Sequence, residues 1–74
     1  MRDDIQKVIF RYNGDPAAEE AMDHPTTKVL YTQAGEVVER HGKKWKVADV
    51  REDFTYVGAS SIPVLRIFLT NRYS

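Results

Sequence analysis

The alternation of apolar and polar positions is strongest at the two ends of the chain. From Ile5 to Tyr12, Val8, Phe10 and Tyr12 fall on one side, and Ile5, Lys7, Ile9 and Arg11 on the other. A period of two carried by β-branched and aromatic residues predicts a strand. Asn13-Gly14-Asp15-Pro16 stops it, because Asn-Gly favours φ > 0 and proline cannot extend a ladder. Ile62 to Thr70 is the last and most apolar strand pattern. Leu65, Ile67 and Leu69 share one face, while Val64 and Phe68 share the other with Arg66. A strand apolar on both faces belongs at the centre of a sheet or at an interface.

The interior of the chain predicts shorter elements. Asp15 to Met22 reads as a short helix: Asp15 as N-cap, Pro16 at the first helical position, Glu19 and Glu20 facing the positive end of the dipole. Asp23-His24-Pro25 ends it. Thr27 to Thr32 reads as a strand, and Gln33-Ala34-Gly35 as a turn. Glu36 to Arg40 and Lys44 to Glu52 form a hairpin across Arg40-His41-Gly42-Lys43, where Gly42 can adopt a left-handed conformation. Trp45 and Val47 share a face, but Val50 is out of phase, so a bulge near Ala48-Asp49 is expected. Phe54, Tyr56 and Val57 anchor a loop or form a short extra strand, and Gly58 to Ser61 reads as a loop. Residues 71–74 form a polar tail.

The order strand, short helix, strand, hairpin, strand predicts a mainly β domain. Its expected form is a small five-stranded, partly open barrel with one short helix, in an SH3-like arrangement. The competing architecture is an antiparallel α+β sheet with the helix on one face. With 74 residues there is one domain, spanning 1–74, and its core must be thin. No cysteine is present, which excludes disulfides and thiolate metal sites and leaves self-association as the simplest added support. No apolar run approaches the roughly 18 residues of a membrane span. The acidic start, Met1-Arg2-Asp3-Asp4, is unlike a signal peptide, so a cytoplasmic address is the default expectation.

Net charge is zero but unevenly distributed. Residues 1–27 carry three basic and six acidic groups, residues 28–51 six basic and three acidic, and residues 52–74 two of each. The first two segments can neutralise each other in the fold, or the second can form a working surface. Its sharpest cluster is Arg40, Lys43, Lys44, Trp45 and Lys46, four cations beside one ring. Such a group could neutralise phosphates while the ring stacks on a base. Strand alternation offers a different account, with Trp45 in the core and the lysines guarding a sheet edge.

Other chemistry is sparse. His24 and His41 are 17 positions apart and lack a metal-binding spacing. The carboxylate runs Asp15/Glu19/Glu20/Asp23 and Glu52/Asp53 stand where caps and solvated strand ends explain them. Ser60 and Ser61 have no nucleophile context. Tyr12, Tyr31, Tyr56 and Tyr73 with Phe54 could line a groove for an extended peptide, or fill a thin core. The expectation is therefore a non-enzymatic protein-interaction module without a cofactor, bound to a protein partner or a second copy. The alternative is a small barrel that binds nucleic acid through 40–46.

Overall fold

A computed structural model describes residues 5–71. It contains β1 (Lys7–Tyr12), β2 (Glu19–Asp23), α1 (Thr27–Leu30), β3 (Val37–Arg40), β4 (Lys43–Val57) and β5 (Ser60–Thr70). The strands form one sheet in the order β2-β1-β5-β4-β3. The β1–β5 pair is parallel, and the β1–β2, β3–β4 and β4–β5 pairs are antiparallel. The fold is mainly β with one short helix, and the sheet is not closed. As its two-sided apolarity predicts, β5 is the central strand, with Val64 fully buried on the face opposite Leu65, Ile67 and Leu69.

Two interior elements exchange character relative to the sequence reading. The segment 15–22 is not a helix. Its cap hydrogen bond does form, with the Asp15 carboxylate accepting from the Ala17 N–H at 2.9 Å, but it closes only a turn. Glu19 to Asp23 then pairs in register with β1, because a two-turn helix lacks the stability to compete with a ladder. Conversely, Thr27 to Leu30 is a single helical turn rather than a strand. Thr26 caps it, its hydroxyl accepting from the Val29 N–H. Leu30 is buried in the core, and Val29 packs against that core.

The hairpin turns obey their local chemistry. His41 and Gly42 both have positive φ (54° and 75°) between the paired residues Arg40 and Lys43, as a type I′ turn requires. The bulge lies where the phase change demands it. Val47 opposes Leu69 and Asp49 opposes Phe68, so Ala48 is the extra residue. Val50 is thereby returned to the face of Trp45 and Val47, opposite Ile67. The segment 52–57 is neither loop nor separate strand; it continues β4 without a break. Gly58 to Ser61 is not a loop either. Only Gly58 and Ala59 lie between Val57 and Ser60, which already pair.

One face of the sheet carries Val8, Phe10, Leu65, Ile67, Leu69, Trp45 and Val47, and these join Ile5 and Leu30 in a single core cluster. The sheet curls around this face. Although β2 and β3 are opposite edges, the Arg40 guanidinium reaches the Glu20 carboxylate. The same carboxylate accepts from the Tyr12 hydroxyl at 3.0 Å and lies 2.8 Å from His41 Nε2. Arg40 also covers the Phe10 ring, 4.4 Å from its centroid. This clasp holds the barrel partly closed without a backbone ladder between the edges. Its Arg40 hydrogen bond, aided by Tyr12 and His41, holds the Glu20 carboxyl below the ordinary range against the opposing effect of desolvation. Burial raises the Tyr12 phenol.

Candidate functional site

The five candidate residues of the basic turn separate by face. Trp45 is 9% exposed, packed edge-on against Tyr12 at 4.8 Å between ring centroids, and belongs to the core. Its ring is not presented for stacking on a base. Arg40 is half-buried and engaged by Glu20 and Phe10. Lys43, Lys44 and Lys46 are exposed. The turn therefore offers three free-standing lysines without the aromatic platform that made the cluster distinctive. The segment asymmetry is partly resolved by the Glu20–Arg40 clasp, which joins the acidic first third to the basic middle.

The outer face is laced by ion pairs. The Arg66 guanidinium bridges Glu19 at 2.9 Å and Asp53 at 3.0 Å, and Arg11 meets the same Glu19 carboxylate at 2.6 Å. Arg51 binds Asp49 at 2.8 Å. The Arg11 and Arg51 guanidinium carbons lie 5.5 and 5.9 Å from the Phe68 ring centroid. Cationic stems thus shield the apolar side chains on this face. The Arg51 side chain and the Val50 N–H hold the Asp49 carboxyl below its ordinary range; for Asp53 the Phe54 N–H is the main cause and Arg66 the next.

A different feature stands out at the far end of the longest hairpin. β3 accompanies β4 only from Lys43 to Lys46, and the connecting chain leaves it at Val47. There the Gly35 N–H donates to the Val47 carbonyl and the Val47 N–H donates to the Glu36 carbonyl, each at 2.8 Å. From Ala48 to Val57, β4 pairs with β5 alone among the described residues. On the other side of β5, β1 reaches no further than Val64 in register. The end of the β4–β5 hairpin is consequently a two-stranded arm, and the molecule measures 41 × 25 × 19 Å.

The arm carries the two largest exposed apolar side chains of the sheet, Phe54 and Tyr56, together with Val57. Phe54 is 65% exposed, Tyr56 80% and Val57 53%. Alternation from Val50 puts Val50, Glu52, Phe54 and Tyr56 on the core-side face and Arg51, Asp53, Thr55 and Val57 on the other. Along the free edge, alternate backbone N–H and C=O groups point away from β5; the Val50 and Phe54 N–H groups donate to the Asp49 and Asp53 carboxylates at 2.9 and 2.8 Å, and the others form a template for another strand. Native edges are ordinarily kept short or guarded by charge, proline or a bulge. In 48–57 the guards, the Ala48 bulge and the charged residues Asp49, Arg51, Glu52 and Asp53, end at Asp53, which leaves 54–57 without one.

The sequence reading named Phe54 and Tyr56 within an aromatic groove, but the groove does not assemble. Tyr12 lies within the curl against Trp45, Tyr31 is exposed beside α1, and Tyr73 falls outside the described residues. The free edge went unread because its signal is the early end of a neighbour, set by where β3 begins. The run Phe54-Thr55-Tyr56-Val57, without charge or proline, was the available clue. No family model, curated protein or solved structure matches this chain.

Proposed function

We propose that this chain is a non-enzymatic protein-interaction module that binds by extending its sheet along the free edge of β4. A partner strand laid against Ala48–Val57 would pair with the outward backbone groups, taking over the Val50 and Phe54 N–H groups from the Asp49 and Asp53 carboxylates, while Phe54 and Tyr56 engage its side chains. Main-chain hydrogen bonds supply affinity in this mode and alternate side chains supply specificity. One observation carries the reading: a ten-residue stretch of strand without a second neighbour carries three exposed apolar side chains. Exposed apolar surface concentrated at one place marks an interaction site, whereas scattered single residues do not.

The test is a selection of displayed extended peptides on the immobilised domain, repeated on Phe54→Lys/Tyr56→Lys. Peptides that bind the native domain, lose binding to the double variant and protect amides in 48–57 from exchange support the reading. Peptides indifferent to the double variant contradict it. Preferential, salt-sensitive binding of oligonucleotides that is abolished by Lys43→Glu/Lys44→Glu would instead favour the basic turn as the working surface.

A further inference from the structure

The unpaired edge of β4 runs from Ala48 to Val57, and the charge pattern along it points to an occupant. In an antiparallel pair, residues directly opposite share a face. Two identical edges related by a two-fold axis must therefore be centred on a residue. Centring on Arg51, Glu52 or Asp53 sets that charge directly against its own copy, which is destabilising. Centring on Phe54 avoids this. It places Phe54 opposite Phe54 of the second copy, Glu52 opposite Tyr56, Asp53 opposite Thr55, and Arg51 opposite Val57.

Like charges are then nowhere directly opposed, and the whole of 51–57 is paired. Centring on Val50 also avoids a clash of charges but lays residues 53–57 of the second copy on 43–47, where β3 and Glu36 already sit, and centring on Thr55 pairs only 53–57. The Phe54 register gives the polar groups complementary partners as well. Glu52 has no ion pair among the described residues, and Tyr56 is the most exposed aromatic residue of the arm. Opposed across the joint, the Tyr56 hydroxyl donates to the Glu52 carboxylate, twice by symmetry. The tip of the second copy, Gly58-Ala59, falls opposite Val50 and Asp49, and so stops short of Val47, where Glu36 occupies the edge. In this register β3 of each copy lies beyond the Gly58-Ala59 tip of the other.

We infer that the occupant of the free β4 edge is a second copy of this chain, paired antiparallel about Phe54 so that the two five-stranded sheets become one. The inference rests on the reading of this edge as a docking surface. Such an isologous contact closes on itself and does not propagate into a filament. It also supplies a third strand over 54–57, where β4 and β5 pair only with each other among the described residues.

Two measurements test it. Sedimentation equilibrium should show a dimer, and Phe54→Lys, which places two cations on the axis and removes the aromatic pair, should weaken it by about tenfold or more. Because the chain lacks cysteine, register can be read by cross-linking. Asp53→Cys mixed with Thr55→Cys should give a disulfide-linked 53–55 pair on oxidation, while either variant alone should give far less, its thiols being diagonal rather than opposed. A monomer at about 1 mM, where even a millimolar association is half-formed, overturns the inference. So does cross-linking that is no greater in the mixture than in each variant alone. If the chain is monomeric yet selected peptides dock on β4, only the second copy is refuted. If neither binds, the docking surface itself is refuted.

Discussion

Replacing Glu20 tests how a sheet with unpaired edges stays curled. One carboxylate on β2 receives Tyr12 and Arg40 and meets His41, and its side chain is about one-third exposed. A hydrogen bond to a charged group contributes about 1.5–3 kcal/mol when well buried, and an exposed ion pair about 0–1 kcal/mol. His41 is mostly exposed, so its share is near the lower bound. Discounting the Arg40 and Tyr12 contacts for partial exposure leaves about 2 kcal/mol for Glu20→Ala and about 1 kcal/mol for Glu20→Gln. In a domain of this size, each kcal/mol moves the melting temperature by roughly 4–8 °C. Chemical and thermal unfolding of both variants measure this directly. A double-mutant cycle with Arg40→Met should return a coupling of about 1 kcal/mol. The pH dependence gives an independent check. Because the folded-state pKa of Glu20 is depressed, its contribution is fully present above the unfolded-state value and is lost as pH falls through the folded-state value. The stability gap between the native chain and Glu20→Gln should therefore close in acid. A loss under about 0.5 kcal/mol with no coupling to Arg40, or a gap unchanged in acid, would refute the clasp.

Two further substitutions separate the body from the arm. Leu65, fully buried at the centre of the sheet, should lose about 2–5 kcal/mol when cut to alanine. That is a large fraction of the roughly 4–11 kcal/mol expected for a 74-residue chain, so Leu65→Ala should be partly unfolded at room temperature by circular dichroism. Phe54→Ala, exposed on the arm, should change monomer stability by no more than about 0.5 kcal/mol. Gly58 has φ of +63° in open space, so Gly58→Val carries only a conformational penalty, of about 1–2 kcal/mol. That penalty should appear as faster amide exchange confined to the arm, because local openings there need not involve the body.

The parts legible from sequence are those where side-chain period and neighbour agree. β1, β5 and the β3–β4 hairpin were readable because their apolar faces are the core faces, and the bulge because Val50 had to rejoin that face. The helix and strand of the middle were exchanged because each segment is too short for propensity to decide. Asp15 and Thr26 both make cap hydrogen bonds, and tertiary pairing selects which is followed by a helix. Charge was read correctly as unevenly distributed, but its use was not. Arg40 turns inward to Glu20, and Trp45 follows the core-side alternation of β4, which dissolves the basic-aromatic cluster. The curl that brings Glu20 to Arg40 joins residues 20 positions apart on opposite edges, a relation that local pattern does not encode.

Amide hydrogen exchange along β4, followed by NMR as protein concentration is raised, decides whether this edge takes up another strand. Rising protection is expected at alternate amides of residues 51–57, with Lys43–Lys46 unchanged because β3 already pairs them. Protection that stays flat along 48–57 at every concentration and with every selected peptide would contradict it, and would show this edge to be merely exposed.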